Sequence, residues 1–119
     1  MNPGDKVYDL ALRTEIFAKD IRRFVKNIER NFLNTEDLRQ LLRSSGSVGA
    51  NYLEAEESIG DKDFLFRIKV CRKESKESAY WLRLIEENIG ESHSQERIRL
   101  HNEAIELTKI FGAIVNKRK

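Results

Sequence analysis

Apolar residues recur at helical pitch in four stretches of this chain, and the pattern predicts four helices at about 5–30, 35–59, 61–89 and 93–117. In the first, Val7, Leu10, Ala11, Thr14, Phe17, Ala18, Ile21, Phe24, Val25 and Ile28 lie along one stripe. Arg13, Lys19, Arg22, Arg23 and Lys26 occupy the opposite side. In the third, Phe64, Leu65, Ile68, Cys71, Ser75, Ser78, Ala79, Leu82, Ile85 and Ile89 form a stripe whose middle is small enough for a neighbour to come close. The fourth is apolar over a wider arc, from Ile98 and Leu100 through Ala104, Ile105, Leu107, Ile110, Phe111, Ile114 and Val115. That width predicts burial on two sides.

The punctuation between these stretches supplies helix stops and starts. Asp5, after Pro3 and Gly4, can cap the first helix, and Asn34 or Thr35 the second. Gly60 offers a left-handed stop followed by Asp61 as a cap; Gly90, Ser92 and Gln95 repeat the arrangement before the fourth helix. No strand pattern competes. Short connections favour antiparallel neighbours, so the fold class is all-α: one antiparallel up-and-down four-helix bundle, with residues 1–119 as a single domain.

The second stretch departs from ordinary helix composition. Ser44, Ser45, Gly46, Ser47, Val48, Gly49 and Ala50 sit in its middle, where each glycine costs about 1 kcal/mol relative to alanine. Either these residues admit a facing helix, with the Ser75/Ser78/Ala79 strip as the natural neighbour, or they expose backbone to a partner such as a phosphate. No Gly-Lys-Ser/Thr follows to complete a phosphate loop. The bare Gly-x-x-Gly of residues 46–49 also lacks the sheet that a KH domain requires.

The segments QLLRSSGSVGANYLEAEES (40–58) and KDFLFRIKVCRKESKESAYWLRLI (62–85) resemble the bacterial four-helix bundle proteins also called 23S rRNA intervening-sequence proteins. The matching positions are Gln40, Arg43, Ser44, Ser47, Val48, Asn51 and Glu54 in the second helix, and Phe64, Cys71, Glu77 and Leu82 in the third. The chain departs from the pattern at Gly49, where many members carry proline, and at Glu56, where many carry glycine. The resemblance implies a homo-oligomer, with a pentamer favoured, and neither catalytic residues nor a cofactor. Members are similar to the accessory bundle protein of diversity-generating retroelements, so RNA, DNA or a reverse transcriptase are the partners it implies.

Composition bounds the function further. With 22 Lys+Arg against 20 Asp+Glu the net charge is only +2. Phosphate binding therefore requires cations gathered on one face. Arg67, Lys69, Arg72, Lys73, Lys76 and Arg83 of the third helix are the best candidates, with Arg22, Arg23 and Lys26 as an extension. The competing reading is an ordinary solvated face with Glu74 and Glu77 pairing locally. Tyr80 and Trp81 next to Arg83 could stack on an unpaired base, but the pair reads first as packing, with one ring free for a subunit contact, and Tyr8, Tyr52 and Phe66 likewise read as packing residues.

Enzyme chemistry finds little support. One cysteine and two histidines make no zinc set, and neither His93 nor His101 follows a glutamate by three residues, as di-metal bundles require. Glu54, Glu57, Glu74 and Glu77 read as partners for Arg43 or Arg83 more readily than as cation ligands. Arg97 and His101 share a helical face but miss the spacing of HEPN-like ribonucleases. Cys71 lies on the apolar stripe as a small hydrophobe. The start, MNPGDKVYDL, lacks the apolar core of a signal peptide, and no run is long enough to cross a membrane, so a cytoplasmic location is expected. The expected function is a noncatalytic oligomeric scaffold or adaptor that binds nucleic acid or a nucleic-acid enzyme. A purely structural protein-protein bundle and a HEPN-like ribonuclease are the alternatives.

Overall fold

The structure is a computed structural model and describes residues 9–118. Four helices follow in order: α1 Leu10–Lys26, α2 Thr35–Glu56, α3 Gly60–Leu84 and α4 Ser94–Arg118. Two single 3-10 turns, Glu86–Asn88 and Glu91–His93, join the last two helices. Each helix packs on the next and α4 returns to α1, which closes the up-and-down bundle. Phe17 and Ile21 of α1, Leu38, Leu41 and Val48 of α2, Ile68 and Leu82 of α3, and Leu100, Leu107 and Phe111 of α4 form its shared core. No described helix is long and apolar enough to cross a membrane.

The helix ends depart from the sequence expectations for identifiable reasons. The expected cap Asp5 lies outside the described residues, as do Val7 and Tyr8. Asp9 caps α1 instead, its Oδ1 accepting from the Leu12 amide at 3.2 Å. At the far end Asn27 and Ile28 donate to Phe24 and Val25, and this tighter winding ends α1 before residue 30. Asn34 does not cap α2 with its side chain. Fully buried, it turns back: Oδ1 accepts from the Asn31 amide at 2.9 Å, while Nδ2 donates to the carbonyls of Glu29 at 3.1 Å and Asn88 at 2.8 Å. One side chain thus ties the α1–α2 corner to the turn after α3. Gly60 (φ 83°) and Gly90 (φ 85°) occupy the left-handed region as expected, but neither is itself the helix stop: α2 is capped at Glu57 and α3 at Ile85. Asp61 is not the cap of α3; Ile59 holds that position, its amide donating to Asp63 at 3.4 Å. α3 is shorter than 61–89, but Ile85 and Ile89 remain buried through the 3-10 turn.

The small residues of α2 serve two neighbours. Successive helical positions point about 100° apart, so a run of seven cannot face one way. Ser44 and Val48 meet α3: the hydroxyls of Ser44 and Ser78 share a hydrogen bond at 2.8 Å, and the Cys71 thiol donates to the Val48 carbonyl at 3.4 Å. The glycines face α1 instead. A Cβ on Gly49 would lie 3.1 Å from Thr14 Oγ1, and one on Gly46 would lie 3.0 Å from Arg22 Nη2.

The wide apolar arc of α4 is used within the chain. Ile105, Ile110 and Ile114 pack against the core at half-burial, and Ile98 is left exposed. α4 and α1 meet less closely than the other neighbours, which leaves a groove of about 570 Å³ between them. Leu12 and Ile16 line it, and two ion pairs cross it: Arg13 to Glu103 at 2.8 Å and Arg99 to Asp20 at 3.1 Å.

Candidate nucleic-acid interface

The family-pattern positions assemble into a polar seam between α2 and α3. Arg43 is its centre: Nε donates to Gln40, Nη1 to Glu74 at 2.9 Å and Nη2 to Glu77 at 2.6 Å. Glu77 also accepts from Trp81 Nε1 at 3.3 Å, which orients the indole. Two turns further along, Asn51 donates to Ser47 and accepts from Arg67 Nη1 at 3.0 Å. Val48, Cys71 and Leu82 are buried behind this seam, and Arg118 lies over the Phe64 ring at 4.6 Å. Glu54 is exposed.

Electrostatics along the seam follow from burial and charge together. The Glu74 side chain is 7% exposed. Burial favours its neutral form, but hydrogen bonds from Arg43 and Ser47 and the guanidinium charge outweigh that and hold it below the usual carboxylate range. Burial also pushes the Cys71 thiol up to about 12. Glu74 and Glu77 are thus committed to Arg43, one of the two partners the sequence offered, and not to Arg83, whereas Glu54 and Glu57 are exposed and pair with neither.

That commitment clears the outer face of α3. Around the helix, Lys62, Phe66, Lys69, Arg72, Lys73, Lys76, Tyr80, Arg83 and Leu84 fall within an arc of about 120°, and no acidic residue between 62 and 84 shares it. All nine are exposed. Its six cations form no salt bridge with any described residue, whereas Glu74 and Glu77 point back to α2. Arg72 leans over Gly112 of α4, and Arg83 lies 3.1 Å from His101 Nε2.

Other sequence candidates do not join this face. Arg67 is half-buried and held by Asn51. Arg22, Arg23 and Lys26 sit on α1, diagonally across the bundle from α3. Of these, Arg22 donates to the Ala18 and Leu42 carbonyls and Arg23 pairs with Asp20. Arg97 is buried, donating to the Leu82 carbonyl and to Glu86. Burial and the neighbouring Arg83 and Arg97 lower the pKa of His101.

Lys62, exposed Phe66 and Leu84 were missed by the sequence reading. Spacing could have found the first two: 62, 66, 69, 73, 76, 80 and 83 advance by alternating steps of four and three. Tyr80 is exposed, while Trp81 packs at the core's edge, with the two rings 5.1 Å apart edge to face.

A family model described as 23S rRNA-intervening sequence protein matches residues 6–113. Among solved structures, the chain is similar to a protein with unknown function from the S23 ribosomal protein family of Bacteroides thetaiotaomicron. The two are 29% identical with a TM-score of 0.75, over 93% of this chain and 98% of that one. No curated protein matches.

Proposed function

The chain belongs to the 23S rRNA-intervening sequence protein family, and from that premise we propose that it is a noncatalytic, homo-oligomeric scaffold or adaptor of the cytoplasm that binds nucleic acid through the outer face of α3. The observation that carries this reading is the row of six exposed cations with no carboxylate among them. In an otherwise nearly neutral chain, such a row supplies the local charge density that phosphate contact needs. Its partner is RNA, DNA or a nucleic-acid enzyme such as a reverse transcriptase.

Assembly strengthens weak single faces. A pentamer would present five copies of the α3 row, and linked sites gain effective concentration without new contacts. The α1–α4 groove supports self-association, because Leu12 and Ile16 are 49% and 48% exposed there. That same groove favours the second reading, a bundle that contacts only protein. The noncatalytic reading is supported by the commitment of Glu74 and Glu77 to Arg43 and by the buried, protonated Cys71 thiol.

Light scattering of the purified chain, followed by titration with labelled RNA and DNA at two salt concentrations, tests the proposal. Oligomers whose affinity falls steeply with salt are expected. Persistent monomers would refute the assembly, and oligomers that bind neither RNA nor DNA would leave the protein-only bundle.

A further inference from the structure

The exposed face of α3 carries more than charge. Phe66 is 57% and Tyr80 45% exposed, although rings of this size normally bury most of their surface. Both stand in the cationic arc, each about one turn in from an end. Each has a guanidinium over its ring: Arg67 lies 5.5 Å from the Phe66 centroid and Arg83 5.9 Å from that of Tyr80. Arg67 is itself anchored by Asn51, and the Tyr80 ring meets that of Trp81 edge to face, the indole being held by Glu77. The rings are thus displayed to solvent, Phe66 beside Arg67 and Tyr80 between Arg83 and Trp81. Such preorganisation lowers the ordering cost of a ligand that lies flat on them.

Their separation sets the ligand's length. Fourteen helical positions at 1.5 Å each place the two residues about 21 Å apart along the axis of α3. That distance is about six nucleotides of a strand stacked at 3.4 Å. Lys69, Lys73 and Lys76 occupy the interval on the same arc. A paired duplex offers these cations its phosphates but keeps its base faces stacked inside. Only an unpaired strand offers both.

We propose that the nucleic acid taken by this face is single-stranded, with bases stacked on Phe66 and Tyr80 and the intervening phosphates against Lys69, Lys73 and Lys76. The inference rests on the nucleic-acid reading above and narrows it to one class of ligand. RNA and DNA share the required chemistry, since every base has a face to stack.

The full chain is titrated, by fluorescence anisotropy at one salt concentration, with labelled 12-nucleotide oligouridylate, oligodeoxythymidylate and a 12-base-pair duplex. At least one single strand is expected to bind more tightly than the duplex, and comparison of the two sugars identifies which. Phe66→Ala and Tyr80→Ala are each expected to weaken strand binding by about 5- to 150-fold while duplex affinity stays unchanged. Phe66→Tyr restores it. Circular dichroism confirms that these exposed variants remain folded. Duplex binding as tight as strand binding, or strand binding that ignores both alanine substitutions, would overturn the inference and leave the cationic interface standing. Failure of all three probes to bind would overturn both.

Discussion

Ser44 of α2 and Ser78 of α3 meet hydroxyl to hydroxyl at 2.8 Å, both fully buried between the two helices. Ser78 also donates to the Glu74 carbonyl at 2.9 Å, so its hydrogen-bonding capacity is well used. There is no room for a larger side chain. Ser78→Leu is expected to destabilise the bundle by about 1–3 kcal/mol through overpacking. Ser78→Ala removes only the hydrogen bonds and costs about 1 kcal/mol. Urea denaturation of the two variants checks both the order and the gap.

The two glycines of α2 should respond in opposite directions to alanine. At Gly49 the new methyl meets Thr14, a buried β-branched side chain whose hydroxyl is held at 2.7 Å by the Leu10 carbonyl. Thr14 cannot yield without moving α1, so Gly49→Ala is expected to lose about 1 kcal/mol despite its gain in helix propensity. At Gly46 the obstacle is the far end of exposed Arg22, which swings away at the cost of one 3.3 Å hydrogen bond. Gly46→Ala is expected to gain up to about 1 kcal/mol. Thermal melts that move the same way for both variants would contradict this assignment of faces.

The Arg43–Glu74 pair predicts a change in pH dependence. Glu74 is held lower in the folded chain than its ordinary value of 4.5. Its contribution to stability is therefore fully present above that value and is lost as pH falls through the folded pKa. In Arg43→Ala, burial becomes the dominant influence and raises the Glu74 pKa, which reverses the sign. Arg43 is 48% exposed, so the loss at pH 7 is expected at about 1–3 kcal/mol, less than for a fully buried pair. Denaturation midpoints at pH 7 and pH 4 should converge between wild type and variant. Parallel profiles would show that the pair does not govern Glu74.

Charge reversal on the outer face of α3 should affect binding and spare the fold. Lys73→Glu and Lys76→Glu alter exposed side chains without ion-pair partners, so stability is expected to change by no more than about 0.5 kcal/mol. Loss of one phosphate contact lowers the slope of log affinity against log salt by about 0.7 on a single strand. Reversal of Arg23, across the bundle and paired with Asp20, should leave that slope unchanged.

The groove between α1 and α4 separates assembly from folding. Leu12→Glu and Ile16→Glu place charge where the side chains are already half exposed, so each chain should keep its helical signal. If copies dock through this groove, light scattering will report a smaller species for either variant. Unchanged size would move the contact elsewhere.

Much of the bundle was legible in residue spacing. The stripe from Leu10 to Ile28 and the one from Ile68 to Ile89 are buried as their periodicity requires, and Gly60 and Gly90 turn the chain where glycine is needed. Helix ends were less legible, because they depend on partners distant in sequence. Asn34 reads as a cap until Asn88, on the far corner, offers it a carbonyl. The candidate site was only half visible for the same reason. Lys69, Arg72, Lys73, Lys76 and Arg83 could be placed on one arc from their spacing. Whether that arc was neutralised turned on which way Glu74 and Glu77 pointed.

Hydrophobic periodicity and turn chemistry by themselves determined four helices, their order and their inward stripes, since those are local consequences of a 3.6-residue repeat and of backbone freedom at glycine. Tertiary packing alone decided that Arg43 would draw both carboxylates to the α2 side and that Arg67 would be held by Asn51. It likewise decided that Phe66 and Tyr80 would stand in water beside unpaired lysines. Local sequence sets the direction of a side chain from its own helix, but its partner is whatever the neighbouring helix brings within reach.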